Sequence, residues 1–420
     1  MLYNIDMEQN VFTIAIVGGG ASGLFLATAL SPDHGGIALF ERGERVGRKL
    51  SATGNGQGNI TNAAAADAEY FSSTATAERV GTLLRAFPPQ ALRSHMEDRG
   101  ILLIEDERGR VYPAGRQASA LTDALRFSAA RSGVRLYTDT QITHLKKQGG
   151  LFVLCAETPE GQKEYRAQKV VLCTGGKAAK NFGTDGTAYA LAQGFGHTLT
   201  PLFPSLVQLK TDTAHIKTLK GIRVMDARLT AKWRENGRPR AHTLKGDVIF
   251  TEYGVSGDAV FRISAYIADK LSTDVTLEID LLPDFAEERI FTALTEKRKN
   301  CPELPTGELL GGMVNNQIGR AVMKRAGGDL RAAARTVKGF SLAVCGSLGF
   351  DYAQVTKGGI PLNEVDENLQ SKRVDGLYFA GETLDVDGQC GGFNLQWAYS
   401  SACTVARALE AEMGKDGGHV

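Results

Sequence analysis

The sequence predicts an α/β protein whose mostly parallel sheet is assembled from both ends of the chain and interrupted by a β-rich insertion. Three observations lead there. Residues 12–17 and 37–40 are short, nearly all-apolar runs separated by a glycine-rich turn and a helix pattern, the signature of a βαβ unit buried on both faces. Two distant runs, 169–173 and 377–380, repeat the buried-strand signal, and each leads straight into a glycine motif. Between residues 196 and 349 the texture changes to short strand-like pieces and polar helical patterns.

The elements follow in order. After the strand at 12–17 come the glycines, a helix pattern at 22–30, a loop at 31–36 and the second strand at 37–40. Apolar residues recur at helical spacing over 78–99 and 118–132, while 135–142 and 151–156 read as strands. Within the insertion, 206–209, 227–233, 247–250 and 275–279 are strand-like, and 285–335 is helical and polar. From Gly376 the buried strand returns, followed by a long helix over 395–413. The expected division is therefore a discontinuous domain, 1–195 with 350–420, around an inserted domain, 196–349, that carries a small helical subdomain over 258–335.

Length and composition narrow the function classes. At 420 residues the chain exceeds the ~250–300 at which one core stops growing, so two domains are expected, with a ligand cleft where they meet. A formal net charge of +1, with no basic, aromatic-laced stretch, argues against a nucleic-acid partner. The first ten residues lack a signal-peptide pattern, and no apolar run approaches the ~18 residues of a membrane span, so a cytoplasmic location is expected. Six scattered cysteines with no CxxC pair give no expectation of a metal or a disulfide relay.

Gly18-Gly19-Gly20-Ala21-Ser22-Gly23 supplies the glycines of GxGxxG at 18, 20 and 23 between a buried strand and a helix. The first permits a tight turn, the second lets backbone approach a pyrophosphate, and the third lets helix and strand pack closely. The N–H groups and positive dipole end of the helix then face the phosphates. Glu41, at the end of the second strand, stands at the offset of the acid that binds a ribose 2′-hydroxyl, and would repel a 2′-phosphate. These features make the first part Rossmann-like.

Two further stretches select FAD over NAD. Residues 48–62, from Arg48 through Asn62, are crowded with glycine and small polar residues whose N–H groups suit a polar ligand. Gly381-Glu382 after the late strand, and Gly391-Gly392-Phe393-Asn394 at the start of the last helix, form a second glycine element. FAD is longer than a mononucleotide-binding half can hold, so its far part needs such support. That helix start would face the flavin C2 carbonyl and N1, where negative charge gathers on reduction. No His or Cys sits where a covalent flavin bond would form, so FAD is expected to be non-covalent. A resident NAD(P)H domain would need another GxGxxG, and Gly254-Val255-Ser256-Gly257, Gly311-Gly312 and Gly327-Gly328 lack the strand-to-helix setting. NADH or NADPH is expected as a transient electron donor.

With these residues in view, the chain resembles the BaiN/YhiN-like family of glutathione-reductase-like flavoproteins, some of whose members are called aminoacetone oxidases and others NAD(P)H-dependent reductases. The likeness runs over nearly the whole length. It rests on the Gly18 loop with Glu41-Arg42, on Gly47-Arg48-Lys49-Leu50 leading into Asn59-Ile60-Thr61-Asn62, and on Leu219-Lys220-Gly221-Ile222. It continues through Phe250-Thr251-Glu252-Tyr253-Gly254-Val255-Ser256-Gly257, through Thr356-Lys357-Gly358-Gly359-Ile360 and through residues 376–401. The resemblance implies an FAD domain of the glutathione-reductase type made from both chain ends, with a β-rich, barrel-like insertion. Where the family reads Gly-Arg-Cys-Asn this chain has Gly56-Gln57-Gly58-Asn59, with Asp258 in place of the usual Pro and Cys390 where Thr is common.

Residue reading and resemblance together put the FAD contacts at Gly18, Gly20, Ala21, Ser22, Gly23, Glu41, Arg42, Lys49, Leu50, Thr53, Gly54, Gly58, Asn59, Thr61, Ile142, Thr174, Gly175, Gly176, Gly381, Glu382, Asp387, Gly391, Gly392, Phe393, Asn394 and Leu395. The candidates for moving a proton are Glu252, Tyr253, Lys357 and Cys390, with Asp387 beside them. Cys390 reads first as a small buried side chain, His197 as the start of the insertion, and Trp397 and Tyr399 as core. The expected activity is NAD(P)H-dependent reduction of an activated double bond in a small organic molecule, by hydride transfer through flavin N5. An oxygen-dependent amine or aminoketone oxidase and a flavin-bound sensing protein are the alternatives.

Overall fold

The computed structural model describes residues 11–31, 36–66 and 70–416. The leading ten residues and most of the expected 31–36 loop lie outside that set. The described residues form two compact units, one from the segments up to Leu202 and from Val355 onward, the other Phe203–Gln354.

The first unit is built on a seven-stranded sheet. Its parallel part runs Arg135–Tyr137, Ile37–Phe40, Val11–Val17, Gly161–Leu172 and Leu377–Phe379. In chain order that is 3-2-1-4-5, so the order reverses between Val11–Val17 and Gly161–Leu172, and the crevice beyond their carboxyl ends is where such sheets bind dinucleotides. Ile14, Ala15 and Ile16 are fully buried, as an apolar run covered on both faces must be. The first half of Gly161–Leu172 turns antiparallel against Leu151–Thr158, which pairs with Gln141–Gln148. The helix Ala21–Ala29 and the C-terminal helix Phe393–Asp416 pack in one core with the parallel strands.

Two sequence expectations in this unit are corrected. The helical pattern over 78–99 is two helices, Ala77–Ala86 and Pro89–Glu97. Pro88 and Pro89 lack N–H donors and push the preceding residue out of helical geometry, and Phe87 sits at φ −136°, ψ 76°. The strand expected over 135–142 breaks after Tyr137, where Asp139 takes a left-handed conformation with φ 49°.

The second unit is a closed barrel of six strands in the order Leu209–Thr211, Gly254–Ser256, Arg238–Phe250, Arg223–Glu235, Thr276–Asp280 and Phe340–Ser347. Each pairing is antiparallel. Between its strands the chain adds the helices Asp258–Ile267, Glu287–Asn300, Asn316–Arg325 and Leu330–Lys338. Asn315 and Asp329 cap the last two, each accepting a backbone N–H of the first turn. The strand expected over 206–209 starts only at Leu209, because Leu206 is left-handed at φ 52°. The fold is thus the Rossmann-type α/β domain with a β-barrel insertion that the sequence predicts.

Candidate cofactor site

Each glycine of the first turn has a separate structural reason. Gly18 lies at φ 107°, and a Cβ there would sit 2.5 Å from the Cys173 carbonyl oxygen. A Cβ on Gly23 would stand 2.0 Å from the Gly18 carbonyl oxygen, so the third glycine is what lets the helix close onto the strand. At Gly20 a Cβ would meet nothing within 4 Å. The open position leaves the backbone accessible, and Gly20 is also the N-cap of a helix with no side-chain cap. The N–H groups of Ala21, Ser22 and Gly23 have no acceptor within their own helix, which is the donor set an anion needs. These residues fit the pyrophosphate of FAD.

Glu41 is held against this turn. Its Oε2 accepts the Gly19 N–H at 2.9 Å and its Oε1 the Gly43 N–H at 2.8 Å. Burial pushes its carboxyl above the ordinary value, and the two N–H bonds offset that only in part. A ribose hydroxyl donates to the ionised form, so FAD affinity should fall as pH drops through a Glu41 pKa lying above 4.5. Glu41→Gln should weaken FAD binding about 10- to 100-fold at neutral pH, the worth of one charge-assisted hydrogen bond, and abolish that pH slope. Titration of flavin fluorescence checks both; an unchanged slope removes Glu41 from the site.

The second glycine element is locked by pairings that span most of the chain. Glu382 accepts from Lys49 Nζ at 2.7 Å and from the Thr356 N–H at 2.8 Å. Thr356 Oγ1 in turn accepts the N–H groups of Lys177 and Ala178. Gly381, at φ 72°, leaves room only because it lacks a Cβ, which would lie 2.7 Å from Ser22 Oγ. Its N–H donates to Ser401 Oγ and its carbonyl accepts from Trp397 Nε1 at 3.0 Å. Trp397 is core, as the sequence suggests, but it also anchors the Gly381 turn. Gly391 and Gly392, at φ 123° and 100°, run so close to residues 61–62 that a Cβ on Gly392 would be 2.3 Å from the Thr61 carbonyl oxygen.

Lys357 and Asp387 come together here. Asp387 is buried, its carboxylate 3.8 Å from Lys357 Nζ, and the ammonium lies 4.1 Å from the Phe71 ring centroid. Asp387–Gly388 pairs with Tyr70–Phe71 as a short antiparallel ribbon. Neighbouring Asp385, which the sequence did not single out, accepts from Ser73 N–H and from the hydroxyls of Ser73 and Thr74.

Some expected contacts are committed to the chain itself. Asn59 donates to the Thr61 and Val111 carbonyls, and Thr61 Oγ1 donates to Gln396. Asn394 ties down Gly388 and Gln389. Thr53 and Gly54 lie in a turn following Leu50, Gly54 and Gly58 both at positive φ, and Ile142 is core. Arg42 pairs with Asp185 at 2.9 Å. Thr174, Gly175 and Gly176 follow the strand at the switch point, and Phe393 and Leu395 open the C-terminal helix.

The proton-moving candidates divide between the units. Lys357 and Cys390 belong to the first, Glu252 and Tyr253 to the second. Glu252 is exposed and ion-paired with Lys220, whose hydrogen bond holds its carboxyl below the usual value. A carboxylate so held is a poor proton donor. His197 belongs to the first unit, buried, with one ring nitrogen 2.8 Å from Glu364 and the other 2.7 Å from Ser371 Oγ. Among the described residues no group of three His, Cys, Asp or Glu side chains could hold a metal, and no helix is long and apolar enough to cross a membrane.

A 3-2-1-4-5 sheet with an open second glycine at its switch point, an acid bonded to that glycine turn and a second glycine turn before a long helix defines an FAD-dependent oxidoreductase. The chain matches the family model described as the HI0933-like protein Rossmann domain over residues 12–408, and belongs to that BaiN/YhiN-like family. It is 34% identical over 412 residues to the 3-dehydro-bile acid delta(4,6)-reductase of Clostridium scindens, covering 94% of this chain and 98% of the relative. It is 27% identical over 416 residues to the ribosomal RNA dihydrouridine synthase of Haemophilus influenzae, covering 94% and 98%. Among solved structures, the 3-ketosteroid delta1-dehydrogenase of Sterolibacterium denitrificans shares the fold with a TM-score of 0.52 at 13% identity, covering 96% of this chain and 100% of that one.

Proposed function

We propose that this chain holds FAD non-covalently and reduces a carbon–carbon double bond conjugated to a carbonyl in a small organic molecule, with NADH or NADPH as the transient donor. The observation that carries the reading is the full-length likeness to a reductase whose named substrate, a 3-dehydro steroid unsaturated at positions 4 and 6, contains such a bond. Dihydrouridine likewise differs from uridine by saturation of a ring double bond conjugated to a carbonyl. The two groups of relatives thus share a bond type while their substrates differ in size and charge. The lack of a second GxGxxG supports a donor that visits and leaves.

Bound FAD supplies the two-electron reduction. Gly18, Gly20, Ala21, Ser22 and Gly23 would hold its pyrophosphate, Glu41 its ribose, and Gly381, Glu382 and the Gly391-Gly392 helix start its flavin half. Lys357 is the group best suited to the substrate, because a positive N–H donor stabilises the charge that gathers on a carbonyl oxygen as the conjugated bond is reduced. Buried Asp387, 3.8 Å away, helps to hold that ammonium in place.

The test is anaerobic absorbance near 450 nm. NADH or NADPH should bleach the bound flavin, and a conjugated enone steroid should restore its colour. Lys357→Met should slow the second half about 100-fold, the worth of one oxyanion donor, and leave the first unchanged. Recolouring by uridine-containing RNA alone would establish the second reading, reduction of uridine, which the synthase relatives favour. Bleaching by amines, followed by recolouring with steady peroxide release once oxygen is admitted, would make the protein an oxidase, and a flavin that no donor reduces would leave it a sensing protein.

A further inference from the structure

The strands that flank the glycine turn send out two segments that meet over it. Ile37–Phe40 exits into Glu41 and Arg42, on one side of Val11–Val17. Gly161–Leu172 lies on the other side and exits into residues 173–186. Gly18 is in van der Waals reach of Cys173 and Thr174, while Gly19 bonds Glu41 and its carbonyl accepts the Gly47 N–H. The turn is thus walled by both exits, and any bond from one exit to the other must pass across the mouth of the crevice.

Among the described residues Arg42 and Arg48 make such bonds. Arg42 Nη1 reaches Asp185 Oδ1 at 2.9 Å across 143 positions of sequence and the adjoining Thr187 Oγ1 at 3.4 Å, and Arg48 Nη2 donates to the Asn181 carbonyl at 2.9 Å. Asp185 is set for this role: its Oδ1 also accepts the Thr187 N–H at 3.0 Å and hydroxyl at 2.7 Å, which fixes the carboxylate before Arg42 arrives. The segment carrying it turns through left-handed positions at Gly175, Ala179, Gly183 and Gly186. Between these turns it has one short 3-10 turn, Lys180–Phe182, with no buried residue. Arg42 and Arg48 tie the outer part of the segment to the opposite exit.

We infer that the Arg42–Asp185 pair, seconded by Arg48–Asn181, is a clasp across the dinucleotide crevice that retains FAD, and that FAD leaves only after the clasp opens. The inference rests on the FAD reading above and gives Arg42 a retaining role instead of direct contact with the cofactor. Both side chains are partly exposed, 37% and 20%, so the pair is worth what a surface ion pair is worth. Each single variant, Arg42→Met and Asp185→Asn, should therefore speed FAD release about fivefold, and the double variant no further. Raising the salt concentration should speed release from the unaltered protein and leave the variants unchanged.

Release is followed by flavin fluorescence after dilution of the loaded protein into an excess of an apoprotein that binds FAD tightly and quenches its fluorescence, with thermal melting as the check on folding. If Arg42→Met speeds release and Asp185→Asn does not, Arg42 touches FAD directly and the clasp is wrong. Additive effects in the double variant overturn it too, as does wild-type release from both single variants. Protein that takes up no FAD under any condition overturns the cofactor reading itself, and the clasp with it.

Discussion

Gly20→Val should give a protein that melts within a degree or two of the unaltered chain but binds FAD at least 100-fold more weakly. The asymmetry comes from what surrounds the three glycines. A side chain on Gly18 or Gly23 collides with backbone that cannot move, the Cys173 carbonyl in one case and the Gly18 carbonyl in the other, so Gly18→Ala and Gly23→Ala should damage the fold itself. Gly20 has a φ of −77° that any residue adopts and no neighbour within 4 Å of an added Cβ. A branched side chain there fills only the space through which the pyrophosphate reaches the helix N-terminus, and a loss of about 3 kcal/mol of binding is the stated 100-fold. Melting curves and flavin titrations on the three variants decide it. A Gly20→Val protein that binds FAD normally would move the phosphates away from this turn.

Stability should fall as the pH is lowered from 6.5 towards 3, and His95 should be the main cause. The ring sits between Phe25 and Tyr399, at 6.0 and 5.3 Å between centroids, with Nε2 3.0 Å from Thr28 Oγ1. That hydroxyl already donates to the Leu24 carbonyl, so the imidazole donates to its oxygen and the other ring nitrogen gains nothing from a proton. Burial, and then the charge of Arg99, push His95 down to about 3. A folded-state pKa below the unfolded value means that the unfolded chain takes the proton first. The stabilisation is complete above 6.5 and is lost progressively down to about 3.

With ~1.4 kcal/mol per pH unit and an allowance for screening, about 3 kcal/mol is at stake. His95→Gln, measured by denaturant unfolding at pH 7, 5 and 4, should flatten this slope. His197, lowered by burial, acts in the same direction. Glu364 is separable by its window. Burial opposes its ionisation, but bonds from Arg373, Thr198 and His197 bring it to about 2, so its contribution is lost only between 4.5 and 2. A His95→Gln protein as acid-sensitive between pH 6.5 and 5 as the unaltered chain would refute the assignment.

The amino-acid sequence by itself determined the strand–turn–helix around Gly18, the acid at Glu41, the return of a buried strand before Gly381 and the long last helix. Those features are local. A run of apolar residues, a glycine at a tight turn and a helical period each report on one element and its burial, and they survive whatever the rest of the chain does. The same locality explains the failures at 78–99, where periodicity outweighed two adjacent prolines, and at 135–142, where a left-handed Asp139 has no signature in composition.

Tertiary structure alone decided which polar groups are committed. Lys49 meets Glu382 across 333 residues, Trp397 reaches the Gly381 carbonyl, Thr356 braces Glu382 from a segment whose motif gave no hint of it, and Arg42 crosses to Asp185. Asn59 and Asn394, which look like ligand contacts in sequence, spend their amides on the chain. The physical reason is that a side-chain hydrogen bond or ion pair is set by the distance between two atoms. That distance depends on strand order and loop path together, neither of which any stretch of sequence carries on its own.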